Sequence, residues 1–325
     1  MEKEKVIEVK DLKLYFDGDY GTTQILNGIT FDIHAGETLG IVGESGCGKS
    51  QTAMSIMRLN KARLEGSIEF KGQNMLTLPM KAMRKIRGNE ISMIFQDPMT
   101  CLNPVFTIGH QLSEVFRLHQ GMNKKEAWEA SINALRMVNV AMPEKRVKDY
   151  PYQMSGGMRQ RVMIAMALAC KPQLLIADEP TTALDVTIQA QVLDLMRNLR
   201  DETGTAIAFI THDLGVVSEM CDRAIVLYCG EVMEEASTEE LFRNPMHPYT
   251  EGLLNALPKA GQRDGKLYVI PGMVPPAGKF PKGCVFAPRC KYATEKCHAE
   301  KPEVKIVGDG HAVRCFRYEE VQANE

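Results

Sequence analysis

Residues 43–50 read GESGCGKS and combine three glycines with a lysine and two serines. The segment directly follows the apolar run LGIV at residues 39–42 and precedes the apolar-periodic segment at residues 51–59. Glycines let the backbone turn its N–H groups inward around an anion, and a helix that follows points its positive end at the same place. The pattern therefore predicts a phosphate-binding loop between a strand and a helix. A glycine-rich turn without a ligand is the alternative that this segment alone leaves open.

The pattern G-x-x-x-x-G-K-[ST] assigns roles within this loop. Lys49 is predicted to reach the β and γ phosphates of a nucleotide, and Ser50 to offer its hydroxyl to Mg²⁺. The predicted phosphate-binding residues are Gly43, Glu44, Ser45, Gly46, Cys47, Gly48, Lys49, Ser50 and Gln51.

Short apolar runs separated by helical patterns predict an α/β fold with a core of parallel strands. These runs lie at residues 39–42, 91–95, 174–177 and 207–210. Two earlier segments instead alternate apolar with polar residues, at 7–16 and 25–37. Such alternation predicts an N-terminal antiparallel β layer with one face in water.

Polar side chains follow three of the predicted strands. Asp178 and Glu179 come after LLIA, Gln96 follows ISMIF, and His212 follows IAFIT. The ends of parallel strands share one edge of a sheet, which is where ligands bind. We expect Asp178 to hold Mg²⁺ and Glu179 to take a proton from an attacking water. A solvated strand end is the alternative reading of the two carboxylates by themselves.

Composition changes along the chain predict its organisation. A Pro-rich connector after Gln96 leads into a helical part at about residues 98–170, in which the stripe Trp128, Ile132, Leu135 and Val138 predicts a core-facing helix. From residue 258 onward Pro, Gly and Cys become frequent. We therefore predict one domain at residues 1–257 and a small C-terminal extension at 258–325.

Charge and hydropathy exclude several classes of protein. The 39 Lys and Arg nearly balance the 41 Asp and Glu, so nothing favours a nucleic-acid or anionic-lipid partner on general electrostatic grounds. The N-terminus is charged and does not resemble a secretory signal. The longest apolar run, near residues 162–170, is about half of the roughly 20 residues that a membrane-spanning helix needs. We expect the chain to act from the cytoplasm.

Four of the nine cysteines crowd into the C-terminal extension with the spacing C-x5-C-x6-C-x17-C. They are Cys284, Cys290, Cys297 and Cys315. The spacing differs from the C-x2-C pairs of structural zinc sites, and a reducing cytoplasm disfavours disulfides. Four soft ligands suit an iron–sulfur cluster or zinc, and the absence of a metal is the third possibility. His298 and His311 lie close enough in sequence to replace a thiolate.

The segment MSGGMRQR at residues 154–161 resembles the LSGGQ signature of the nucleotide-binding subunits of ABC transporters. Met158 stands where that family usually has Gln. The resemblance covers about residues 6–255 and includes TALD at residues 182–185, similar to the family's D-loop. It implies that Ser155, Gly156 and Gly157 bind ATP held by a second, homologous ATPase subunit, most often a different chain.

The same resemblance implies the remaining site residues. The catalytic set is Lys49, Gln96, Glu179 and His212, with His212 similar to the family's switch histidine. The implied Mg²⁺ ligands are Ser50, Gln96 and Asp178. Phe16 lies 27 residues before Gly43, where the family usually has an aromatic residue that stacks on adenine.

The C-terminal segments at residues 244–258 and 283–297 are similar to the ATPase subunits of oligopeptide and dipeptide importers. This similarity implies ATP-driven peptide uptake, a 4Fe–4S cluster on the four cysteines, and a peripheral location on the cytoplasmic face of the membrane. The implied partners are two transmembrane permease subunits and an extracytoplasmic solute-binding protein. Two alternatives stay open. In the first, the importer carries a solute such as nickel or glutathione; in the second, the chain is an ABC-type ATPase that acts on nucleic acid. A third alternative makes the cysteine segment a redox or metal sensor.

Overall fold

The computed structural model describes residues 4–18, 21–182, 185–257, 268–308 and 310–318. The strands are β1 Lys5–Gly18, β2 Gly21–His34, β3 Thr38–Val42, β4 Arg63–Phe70, β5 Gln73–Asn74, β6 Ile91–Ile94, β7 Leu174–Asp178, β8 Ala206–Thr211, β9 Arg223–Tyr228, β10 Glu231–Ser237, β11 Lys305–Val307 and β12 His311–Val313. The helices are α1 Lys49–Ile56, α2 Met80–Ile86, α3 Pro98–Cys101, α4 Ile108–Gln120, α5 Lys124–Met137, α6 Pro143–Arg146, α7 Gly156–Leu168, α8 Val186–Thr203, α9 Leu214–Met220, α10 Thr238–Arg243, α11 Pro248–Asn255 and α12 Glu295–Ala299.

The chain divides into two compact units. The first unit comprises Met1–Ile7, Ile33–Glu37 and Thr77–Phe209, and the second comprises Glu8–Asp32, Thr38–Leu76 and Ile210–Glu325. The predicted boundary between residues 257 and 258 lies at the edge of a segment outside the described residues. The division into residues 1–257 and 258–325 therefore stays a prediction.

Parallel strands form the core of the first unit. Strands β6 and β7 pair in parallel, with Ile91 opposite Leu174, and β8 lies on the other side of β7. Every residue of these three strands is buried, because both faces of a parallel sheet are covered. Helices α3 to α7 occupy residues 98–168, the part of the chain predicted to be helical. In α5 and its C-terminal cap, Leu135 and Val138 are buried, whereas Trp128 and Ile132 are only half-buried.

The described part of the second unit holds strands of two sheets. The N-terminal sheet has the strand order β2-β1-β4-β5, with β4 and β5 antiparallel. In the other sheet β3 pairs in parallel with β9, and the antiparallel neighbours β10, β12 and β11 follow in that order. The C-terminal strands β11 and β12 thus extend the sheet that carries the glycine-rich loop. The α/β class with parallel core strands and an N-terminal antiparallel layer is confirmed.

Helices in the described parts of the chain all fall short of the length and apolar character needed to cross a bilayer.

Candidate active site

The glycine-rich loop, residues 43–48, connects strand β3 to helix α1. Gly43, Gly46 and Gly48 have φ angles of 150°, 82° and 108°, values that glycine adopts readily and other residues rarely. A Cβ atom on Gly43 would lie 2.2 Å from the carbonyl oxygen of Leu227 at the end of β9. Gly43 is therefore required both for its backbone angle and for the close approach of β9.

The ammonium group of Lys49 lies across this loop. Its Nζ donates hydrogen bonds to the carbonyl oxygens of Gly43 at 2.7 Å and Glu44 at 3.1 Å, and the residue is only 6 % exposed. A buried ammonium needs such acceptors, because desolvation without hydrogen bonds is costly. The Lys49 ammonium thus lies beside the N-terminus of α1. Its positive charge and the helix dipole both favour the binding of an anion there.

Gln96 and Glu179 are brought together by the ends of β6 and β7. Gln96 Nε2 donates a hydrogen bond to Glu179 Oε2 at 3.0 Å, and Thr182 Oγ1 donates to the same oxygen at 2.9 Å. Glu179 has a φ angle of 47°, in the left-handed region that costs a non-glycine residue about 1–2 kcal/mol. Strain of this kind persists where the surroundings fix the residue, and it concentrates at functional sites. Asp178, the last residue of β7, is 4 % exposed.

The signature-like segment forms the N-terminus of α7. Ser155 is the N-cap, and its Oγ accepts a hydrogen bond from the N–H of Met158 at 3.3 Å. Ser155 and Gly156 are exposed, and a Cβ on Gly156 would meet no atom within 4 Å. Met158, which replaces the family's usual Gln, thus contributes to the cap through its backbone.

The other predicted residues are placed as follows. His212 is exposed directly after β8, and Phe16 is half-buried near the end of β1. Asp185 caps α8 by accepting from the N–H of Ile188 at 2.9 Å, whereas Ala183 and Leu184 of the D-loop-like segment lie outside the described residues.

The predicted site residues are divided between the two units. The glycine-rich loop and His212 belong to the second unit, whereas Gln96, Asp178, Glu179 and the signature-like segment belong to the first. That both groups act on one nucleotide stays a prediction.

Two residues that the sequence analysis did not single out hold Glu44 of the loop. Arg289 makes a bidentate pair with its carboxylate, at 2.6 Å from Nη1 to Oε2 and 3.1 Å from Nη2 to Oε1. Tyr249 Oη accepts a hydrogen bond from the Glu44 N–H at 2.8 Å. The signal for Tyr249 is the tripeptide HPY at residues 247–249, in which His247 caps α11 and Pro248 occupies its first turn.

A buried carboxylate fixes the start of that tripeptide. Glu234 is completely buried and accepts hydrogen bonds from the N–H groups of Met246 at 2.6 Å and His247 at 2.9 Å. His311 Nε2 lies 2.7 Å from Glu234 Oε1, so this ring is engaged with a carboxylate. Burial lowers the pKa of His247 to about 4, which keeps the ring neutral and able to accept from the Tyr249 N–H.

The four clustered cysteines line one cavity in the second unit. Phe286 and Tyr292 are among the other residues that line it, and all four cysteines are free thiols. Burial raises the pKa of the Cys284 thiol to about 11 and also raises the pKa values of Cys290 and Cys315. Within the described residues, no group of three or more Cys, His, Asp or Glu could hold a metal ion. The predicted metal site is therefore not supported by this geometry.

Comparison with known proteins decides the family. The family described as ABC transporter matches residues 26–182, and the family described as oligopeptide/dipeptide transporter, C-terminal region, matches residues 233–297. A probable peptide ABC transporter ATP-binding protein of Sinorhizobium fredii is 51 % identical over 97 % of this chain and 96 % of its own length. The chain belongs to the ATP-binding subunits of ABC transporters. The oligopeptide transport ATP-binding protein AppD of Bacillus subtilis is likewise 51 % identical, over 98 % of this chain and 99 % of its own.

The fold of this chain also matches that of a solved ABC cassette. A dimeric post-hydrolysis state of the ATP-binding cassette MJ0796 bound to ADP and Pi has a TM-score of 0.66 and 29 % identity. It covers 71 % of this chain, which in turn covers 98 % of that one. As an ABC transporter subunit, the chain is an ATPase that uses ATP and Mg²⁺ and whose hydrolysis is coupled to membrane transport.

Proposed function

We propose that the chain is the ATP-hydrolysing subunit of an importer that takes up di- and oligopeptides through a separate permease. The observation that carries this proposal is the match of residues 233–297 to the C-terminal region of oligopeptide and dipeptide transporters. Two relatives named for peptide or oligopeptide transport support it over nearly the whole chain. The cassette would comprise residues 1–257, with a helical part at 98–170 and the extension at 258–325.

Glu179 is the group that we assign to the activation of water. Its Oε2 accepts hydrogen bonds from Gln96 and Thr182, so one carboxylate oxygen is fixed and the carboxylate is oriented. A fixed carboxylate can take the proton of an attacking water, and orientation of the reacting groups supplies much of the rate enhancement in phosphoryl transfer. Lys49 would offset the charge that develops on the transferred phosphate, and His212 would contact the γ-phosphate.

The residues assigned to Mg²⁺ carry the right donor atoms. Ser50, Gln96 and Asp178 offer a hydroxyl, an amide oxygen and a carboxylate, and hard oxygen donors are what Mg²⁺ prefers. When bound, the ion supplies positive charge that neutralises the phosphates. Phe16 would stack on adenine.

The exposed signature-like helix end suits a partner subunit. Ser155 and Gly156 lie open at the N-terminus of α7, where a hydroxyl and backbone N–H groups can bind phosphate. We assign them to ATP held by a second ATPase subunit, most often a different chain. The complete system would add two permease subunits and an extracytoplasmic solute-binding protein, with this chain peripheral on the cytoplasmic face of the membrane.

For the four-cysteine cavity we propose a 4Fe–4S cluster, with zinc as the alternative. The four cysteines are among the residues that line one cavity. Cys284, Cys290, Cys297 and Cys315 would hold such a cluster, since four thiolates are its usual ligands. Anaerobic purification followed by visible absorption and metal analysis tests this. A colourless, metal-free protein with full activity would contradict it, and one equivalent of zinc would favour the alternative.

Affinity purification of the complex from native membranes tests the proposed function. We expect co-purifying permease subunits and a second ATPase, and ATP hydrolysis stimulated by peptide together with the solute-binding protein. If nickel or glutathione alone stimulates ATP hydrolysis, that solute is the cargo and peptides are not. Tight, salt-sensitive binding to DNA without permease subunits would favour the nucleic-acid alternative.

A further inference from the structure

Arg289 of the C-terminal extension reaches into the glycine-rich loop. Glu44, which it contacts, is 245 positions earlier in the chain. Both N–H groups of the guanidinium fork meet the two oxygens of the Glu44 carboxylate, which is the strongest geometry for such a pair. The Arg289 side chain is 4 % exposed, so the pair is largely shielded from water on one side.

The position of Arg289 is set by the extension itself. Its Nε donates to the Pro271 carbonyl at 2.9 Å and its Nη2 to the Ile270 carbonyl at 3.4 Å. Its Nη1 also lies 3.3 Å from Tyr228 Oη. These contacts leave the guanidinium few alternative orientations. The cation is thus a fixed element of the loop's surroundings.

The charge of Glu44 is the reason that this contact matters. Glu44 lies between Gly43 and the loop's centre, and its carbonyl oxygen accepts from the Lys49 ammonium at 3.1 Å. A carboxylate one residue from the phosphate-binding amides repels a triphosphate, because the separation is within the Debye length of about 10 Å. Pairing with Arg289 cancels this charge.

We propose that Arg289 is a positioning residue for nucleotide binding, which neutralises Glu44 and holds the glycine-rich loop in its phosphate-binding conformation. This inference rests on the proposed ATP-binding function and deepens it. It gives the C-terminal extension a part in the affinity of the loop for triphosphate.

Four forms of the full-length chain test the inference by the net charge of the pair. The pair has no net charge in the wild type or in the double variant Glu44→Gln/Arg289→Met. It has one positive charge in Glu44→Gln and one negative charge in Arg289→Met. We expect ATP affinity to rise with the charge of the pair, so that Glu44→Gln binds ATP most tightly and Arg289→Met binds it about tenfold more weakly than wild type. Adenosine has no phosphate, so its affinity changes far less. The differences in ATP affinity shrink as salt is added.

Lys291→Met is the matched control. Lys291 lies two residues further along the extension and pairs with Glu251 at 2.8 Å, so its loss removes one cation without touching the loop. Its ratio of ATP to adenosine affinity should equal that of wild type. Thermal unfolding of each variant shows whether it folds, and if Arg289→Met does not fold, Glu44→Gln carries the test alone.

Three results overturn the inference. Either Arg289→Met binds ATP as wild type does, or it loses ATP and adenosine affinity equally, which indicates structural damage alone. An unchanged ATP-to-adenosine ratio in Glu44→Gln has the same meaning. If Lys49→Ala loses ATP while Arg289→Met does not, only this inference fails. If the wild type does not bind ATP, the proposed function fails with it.

Discussion

The amide of Gln96 donates a hydrogen bond to the Glu179 carboxylate at 3.0 Å, although the two residues are 83 positions apart. Each follows one of two neighbouring parallel strands, β6 and β7. Thr182 donates to the same carboxylate oxygen at 2.9 Å. One oxygen of Glu179 is therefore occupied by two donors, and the carboxylate has a defined direction.

Glu179→Gln should keep ATP binding and lose most turnover. The amide preserves the size of the side chain but cannot accept a proton, and general bases contribute about 10²- to 10⁴-fold to a rate. We expect kcat to fall by about 10²-fold or more on that basis. ATP binding and phosphate release are the measurements, with exposed Glu202→Gln on α8 as the control. Hydrolysis at the wild-type rate would refute the assignment.

Gly43→Ala should destabilise the fold far more than Gly46→Ala. Both positions have positive φ angles, so each substitution costs about 1–2 kcal/mol in the backbone. Only at Gly43 does the new Cβ meet a backbone atom, at 2.2 Å, whereas Gly46 has no atom within 4 Å. Urea unfolding of the two variants measures the difference. Equal losses in the free energy of unfolding would show that β9 does not constrain the loop.

Tyr249→Phe should lower the free energy of unfolding by about 1–3 kcal/mol, because the Glu44 N–H loses its acceptor in a partly buried position. The ring itself stays packed against Tyr228 and Phe286, at centroid distances of 4.7 and 5.3 Å. Tyr152→Phe, at a residue that is 68 % exposed, is the control. A variant as stable as this control would mean that the hydrogen bond contributes nothing.

Stability should fall on mild acidification because of His247. Burial lowers its pKa from the ordinary 6.5 to about 4, so the unfolded chain binds the proton more readily. The neutral His247 ring contributes about 3 kcal/mol to the free energy of unfolding above pH 6.5. This contribution is lost progressively as the pH falls towards about 4.

His247→Asn isolates this effect, since Asn can cap α11 but does not titrate in this range. The free energy of unfolding of both proteins is measured between pH 7 and pH 4. We expect the wild type to lose more stability than the variant over this range. Parallel curves would assign the pH dependence to other groups.

Much of the local structure could be predicted from short segments. The four apolar runs lie on β3, β6, β7 and β8, with ends that differ from the prediction by at most one residue. The glycine-rich loop lies between a strand and a helix as its pattern requires. Such features depend on neighbouring residues alone, so period and glycine placement are enough to predict them.

Other features gave no local signal. Arg289 is one of many basic residues in the sequence, and Tyr249 is one of nine tyrosines. By its sequence position His311 could replace a thiolate, whereas the structure places its ring on buried Glu234. The relation between Glu234 and the start of α11 depends on the pairing of β9, β10 and β12, which no short window of sequence contains.

The sequence by itself determined the phosphate-binding loop, the strands that lead to it and the polar residues at their ends, because the chemistry and geometry of each lie within a few consecutive residues. Only the tertiary structure decided that Glu44 is held by Arg289 and Tyr249, 245 and 205 positions away, and that Gln96 meets Glu179. The physical reason is that such contacts arise from strand pairing and burial across the whole chain. Local backbone preferences do not encode which distant side chain becomes the partner.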